Sequence, residues 1–123
     1  MNRKVTVKLI GDARDSYNKL NEIIIDEMEQ NVENSDHQIL FSSIKQKIEL
    51  IKADPEYGIH IPRNKIPNEY IVKYDINNLW KVNLSKAWRM LYSLKGDKIE
   101  VLSLILDIID HPTYNKKFGY KKR

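Results

Sequence analysis

Three side chains in the second half of the chain could together handle a phosphodiester: Arg89, His111 and Tyr114. Arg89 sits among Trp88, Met90, Leu91 and Tyr92, an apolar run where an arginine is an odd choice for solubility alone. Its guanidinium is always charged, flat and forked, which suits a phosphate. His111 can exchange a proton near neutral pH, and Tyr114 can do so where neighbouring cations stabilise its phenolate. RNA carries its own nucleophile, the 2′-hydroxyl. Cleaving RNA without a metal needs a base for that proton, cations for the extra charge at phosphorus and an acid for the departing 5′-oxygen. Arg89, His111, Tyr114 and nearby lysines can supply all three. The plainer alternative makes His111-Pro112 a strand-ending turn, packs Tyr114 on a sheet and pairs Arg89 with a carboxylate.

The closing stretch "HPTYNKKFGYKKR", residues 111–123, holds five cations and no acid. Tyr114, Phe118 and Tyr120 interleave with Lys116, Lys117, Lys121, Lys122 and Arg123, and aromatic rings stack on unpaired bases. The same mixture also reads as a solvated basic tail. In "GIHIPRNKIP", prolines stiffen the loop that carries Arg63 and Lys65, and these two can meet phosphates or simply face water. Lys81 is a further candidate on the strand preceding Arg89. His37, His60 and His111 lack metal-site spacing, so no metal is assigned and no cofactor is expected. With no cysteine, disulfides and thiolate zinc sites are excluded.

At 123 residues the chain is expected to form one domain, 1–123, closed by the basic segment 111–123. Hydrophobic content of 41% and charged content of 31% fit a folded protein rather than a disordered one. The net charge of +4 is unevenly placed: residues 12–62 carry −6, residues 63–110 carry +2, and the two ends carry +3 and +5. That polarity suits a polyanionic partner at the basic end, or a solubility surface. No apolar run approaches the roughly 20 residues of a bilayer-spanning helix, and residues 1–15 lack a signal peptide's apolar core. A cytoplasmic protein with no membrane partner is expected.

The elements that must position these groups are set by periodicity. Residues 5–10, "VTVKLI", read as a strand. Ala13, Tyr17, Leu20, Ile24 and Met28 recur every three or four positions, a helical stripe with Asp12 as a plausible N-cap. Ser35 and Gln38 have capping-box spacing, and a second helix comes next with Leu40, Ile44, Ile48 and Ile51 on one face, stopped by Pro55. Residues 55–78 hold three of the four prolines and read as a long ordered loop with one helical turn near 69–73. Three strands complete the pattern, at 79–84, 87–94 and 99–109, joined by tight turns at 85–86 and 95–98. The order is β-α-α-β-β-β, an α+β fold. A twisted antiparallel sheet would pack one face on a helical hairpin and present Lys81, Asn83 and Arg89 on the other, with the first strand at an edge or beside the last.

"LWKVNLSKAWRMLYSLKGDKIEVLSLIL" and "DHPTYNKKFGY", in this order and spacing, resemble the RelE/ParE superfamily of prokaryotic toxins, in particular RelE-like mRNA interferases, over almost the whole chain. The resemblance implies the toxin of a type II toxin-antitoxin system, an endoribonuclease that cuts mRNA on the ribosome, with a cognate antitoxin as protein partner. It places Arg89 at the scissile phosphate, His111 and Tyr114 at proton transfer or base stacking, and Lys65, Arg63 and Lys81 along the groove. No unambiguous glutamate base is present, and which of His111 and Tyr114 is the base stays open. The ParE branch shares the fold, poisons gyrase and cuts no RNA; an inactive relative is a third reading.

Overall fold

A computed structural model describes residues 3–96 and 100–119. The chain runs β1 (Lys4–Leu9), α1 (Gly11–Glu29), α2 (Asp36–Ala53), β2 (Ile59–His60), α3 (Asn68–Tyr74), β3 (Trp80–Asn83), β4 (Arg89–Gly96), β5 (Glu100–Ile109) and α4 (His111–Phe118). Single 3-10 turns stand at Arg63–Lys65 and Ser85–Ala87. Among the described residues this is an α+β architecture, four helices on a five-stranded sheet of order β1-β5-β4-β3-β2.

The helical stripe of α1 buries Ala13, Leu20 and Ile24 as its spacing requires, but Met28, in the last turn, is 66% exposed. Asp12 is not the N-cap. Ile10 holds that position without a side-chain cap, and Asp12 instead pairs with Lys73 of α3 at 3.0 Å. Gly11 turns left-handed (φ 51°), the backbone region that favours glycine, and the Tyr74 hydroxyl occupies the space a Cβ would take. At α2 the cap is Ser35, whose hydroxyl oxygen accepts the Gln38 N–H at 3.1 Å. The reciprocal bond is displaced by one residue: Gln38 Oε1 accepts from the Asn34 N–H at 2.9 Å. Glu27 closes the hairpin, accepting from the Ser35 hydroxyl at 2.6 Å and lying 3.1 Å from His37. The Ser35 hydrogen bond, with those of His37 and Gln38, holds its carboxyl below the ordinary range.

The sheet is mixed, not antiparallel. β5, β4, β3 and β2 pair antiparallel in turn, while β1 runs parallel to β5 from Lys4↔Glu100 to Leu9↔Ile105. The reason is parity. The helical pair returns the chain to the end of the sheet where α1 began, so the next strand runs opposite to β1. That strand is β2, two residues long and hidden inside the expected loop, and three further reversals bring β5 parallel to β1. Without β2 the count comes out antiparallel.

Both faces of the sheet are covered. One core packs Leu20, Ile24, Leu40, Ile44 and Ile51 of the helical pair on Val82, Met90, Tyr92, Ile105 and Ile108. A second core, on the face expected to be open, sets Ile61, Ile66, Tyr70 of α3 and Tyr114 of α4 on Leu91, Leu106 and Ile109. The strand residues alternate between the two cores: Met90 and Tyr92 go to one, Leu91 to the other. A bulge opposite Leu91 and Tyr92 then puts the consecutive residues Leu106 and Asp107 against the second core, where the Tyr70 hydroxyl donates to Asp107 at 2.7 Å. The expected 95–98 turn falls partly outside the described residues.

Tyr92 ties the loop after α2 to the sheet. Its buried hydroxyl donates to the Pro55 carbonyl at 2.7 Å and accepts the Gly58 N–H at 2.9 Å. Tyr92→Phe leaves both groups without this partner and is expected to cost about 1–3 kcal/mol, read as a lower urea midpoint at unchanged slope. Burial pushes the Tyr92 phenol up to about 12. The fold accepts the neutral form, so this part of the stability is full below an unfolded tyrosine's pKa of about 10 and is lost as pH climbs from there. The Phe variant should therefore show a shallower alkaline loss of stability than the parent; an equal slope contradicts the assignment.

Candidate active site

Arg89 opens β4 directly after the Ser85–Ala87 turn, and that turn is strained. Lys86 (φ 58°) and Ala87 (φ 62°) both take left-handed backbone, which costs a side-chain-bearing residue on the order of 1 kcal/mol or more. The turn is held from both sides. Leu84 donates to the Trp88 carbonyl at 2.8 Å, and Ser85 N–H donates to the Ser43 hydroxyl of α2 at 3.1 Å. Its carbonyls in turn hold the arginine: Arg89 Nη1 donates to Ala87 O at 3.0 Å and to Trp88 O at 3.3 Å. Arg89 Nε is buried with no hydrogen-bond partner among the described residues. Across the sheet Arg89 faces Ile109, the last residue of β5, so the chain leaving β5 passes beside the guanidinium.

That departing segment is a helix, not a tail. Residues His111–Phe118 form α4, capped by Asp110, whose carboxylate accepts the Thr113 N–H at 3.0 Å. Pro112 lies in the first turn and Gly119 (φ 74°) ends the helix in left-handed backbone. Hydrogen bonds from the Thr113 side chain, and then its backbone, hold the Asp110 carboxyl below the ordinary range. The helix brings exposed His111 to the guanidinium, with Nδ1 3.3 Å from Arg89 Nη2, while Nε2 lies 3.1 Å from the Asn115 amide nitrogen. One turn on, Tyr114 enters the second core at 5% exposure and stacks on Phe118 at 4.3 Å.

Tyr114 organises two cations. Lys81 Nζ lies 5.2 Å from its ring centroid and the Arg89 guanidinium 5.5 Å, each a contact worth about 0.5–2 kcal/mol. Burial first, and then the repulsion of Arg89, lowers the pKa of Lys81. Arg89, His111, Tyr114 and Lys81 therefore converge. A base-stacking role does not suit Tyr114, because the ring is covered by Phe118 and the two cations.

The remaining described candidates are joined to this cluster by no hydrogen bond or ion pair. Arg63 and Lys65 are exposed on the 63–65 turn, and Lys116 is exposed on α4. Lys117 turns inward, 3.1 Å from Glu69 and 3.6 Å from the buried Asp107, over the Tyr70 ring. Burial opposes its charge, but these two carboxylates outweigh burial and raise its pKa. It is a structural cation rather than a phosphate contact. Tyr120 lies outside the described residues, as do Lys121, Lys122 and Arg123.

Asn115 and Asp110 had no part in the site as read from sequence. Their signals were present: a capping Asp three residues before Thr113, proline in the first turn, and Asn115 one turn after His111. No family model, no curated protein and no solved structure matches this chain.

Lys81 is expected to react faster with amine-acylating reagents at pH 8 than the exposed lysines of α2, and Arg89→Met should slow it by removing the repulsive charge. Mass-spectrometric labelling rates measure both; identical rates in parent and variant contradict the coupling.

Proposed function

We propose that the chain is a RelE-like mRNA interferase of the RelE/ParE superfamily, the toxin of a type II toxin-antitoxin pair that cuts mRNA on the ribosome without a metal. The observation that carries this reading is the meeting of Arg89, Lys81 and His111 around the Tyr114 ring at one end of the sheet. Two neighbouring cations, one of them held by backbone carbonyls, make a receptor for a doubly bonded anion such as a phosphodiester. His111 is exposed and in contact with the guanidinium, so it is the base; Tyr114, buried, is the platform.

The 2′-hydroxyl oxygen attacks the adjacent phosphorus while His111 takes its proton. The bond from phosphorus to the 5′-oxygen breaks, and Lys81, whose lowered pKa makes it a readier acid than an ordinary lysine, protonates that oxygen. Arg89 holds the charge on the non-bridging oxygens. The products are a 2′,3′-cyclic phosphate and a 5′-hydroxyl. A cognate antitoxin is the expected protein partner and the cytoplasm the expected compartment. Among the described residues no helix is long and apolar enough to cross a membrane.

Expression should arrest translation and leave mRNA cut within ribosome-bound reading frames. Arg89→Ala should lower cleavage about 10²–10³-fold, as loss of one charge-stabilising donor does, and His111→Leu about 10²–10⁴-fold. Tyr114→Phe should stay within a few-fold of the parent. A single 2′-deoxy substitution at the scissile nucleotide should block cutting. Intact ribosome-bound mRNA in arrested cells sinks the nuclease reading, and gyrase co-purifying with DNA damage replaces it with the ParE-type one.

A further inference from the structure

We infer that His111 works through Nδ1 and that Asn115 is the positioning residue that turns its ring; the inference deepens the nuclease reading and rests on it. A guanidinium has donors only, so Arg89 Nη2 at 3.3 Å can bond Nδ1 only where Nδ1 carries a lone pair. A neutral imidazole has one N–H, which then belongs to Nε2. Nε2 lies 3.1 Å from the Asn115 amide nitrogen, a donor that an Nε2–H cannot bond. The two ends of an amide exchange by a half-turn, and the carbonyl end is the one that accepts an Nε2–H. Asn115 lies four residues after His111 on α4, so helix geometry brings the two side chains together.

With the amide turned so that its carbonyl oxygen meets Nε2–H, the ring, though exposed, is gripped at both nitrogens. Arg89 marks the side on which the anion binds, and Nδ1 faces that side. A phosphodiester seated on Nη2 displaces the direct contact and leaves the Nδ1 lone pair toward the substrate, where the 2′-hydroxyl delivers its proton. The Nε2–H stays on Asn115 throughout. Because the amide is neutral, it orients the imidazolium formed in the step without cancelling its charge. Asn115 touches neither phosphate nor sugar in this arrangement and acts through His111.

The ring nitrogens of protein labelled with 15N-histidine decide the first part, with His111→Gln used only to assign the signals among His37, His60 and His111. At a pH where the ring is neutral, a protonated Nε2 and a bare Nδ1 are expected; the opposite tautomer overturns the inference whether or not RNA is cut. The second part is read on mRNA bound to ribosomes. Asn115→Leu should lower kcat by about 10–100-fold, the scale of loss when a partner that orients a metal-bound histidine is removed, with KM little changed. Asn115→Asp, which keeps an acceptor, should recover most of it. An unchanged kcat in Asn115→Leu, shown folded by its melting curve, overturns the positioning role; if that variant melts early, Asn115→Ala takes its place with the same two outcomes. Should the parent cut no RNA at all, the nuclease reading falls, and the ring spectrum still decides the tautomer.

Discussion

The Asp110 carboxylate accepts the Thr113 N–H and starts a helix at the point where β5 leaves the sheet. His111 and Tyr114 reach the candidate site only through that change of direction. An extended continuation would carry His111 and Tyr114 past the sheet edge into water. A helix packs back on the sheet because Tyr114 and Phe118, four residues apart, form one apolar stripe that the second core accepts. Burying that stripe stabilises the fold by roughly 1.5–3 kcal/mol for a large side chain, and the same rotation sets His111 against Arg89. Core packing and site assembly are here a single event.

Two lysines illustrate how an identical device serves opposite ends. Lys117 lies 5.4 Å from the Tyr70 ring and Lys81 lies 5.2 Å from the Tyr114 ring. The first has Asp107 and Glu69 as partners, so its charge is reinforced and α4 is clamped to α3 and β5. The second has Arg89 as neighbour, and its charge is weakened. A cation kept on an aromatic ring among carboxylates is a rivet. A cation kept there beside another cation stores electrostatic free energy that an anion releases. The left-handed backbone at Lys86 and Ala87 is a store of the same kind: strain sits next to Arg89, and packing from α2 maintains it.

Much of the frame was legible. Period-3.6 spacing located both helices of the hairpin, and the strands read at 79–84, 87–94 and 99–109 are β3, β4 and β5. β2 was not legible, since two residues between prolines carry no period at all, and its omission reversed the sense of β1 against β5. α4 was legible but outweighed: five cations in thirteen residues resemble a tail, although Asp110, Pro112 and Gly119 mark a capped helix. Asp12 shows the converse, a good N-cap residue that took an ion pair with Lys73 instead.

Residue chemistry was decided by the sequence alone: which side chains can hold an anion, which can move a proton, and which stripes must be buried. These depend on composition and period, and they hold however the chain folds. Tertiary structure decided which of the cations stand together. Lys81, Arg89 and His111 meet because β3, β4 and α4 converge on the Tyr114 ring, whereas Lys117, on the same last helix as His111, is drawn to Asp107. Charge acts over distances that only packing sets, so scattered basic residues become a site, or a set of rivets, only once the strands and the last helix are in place.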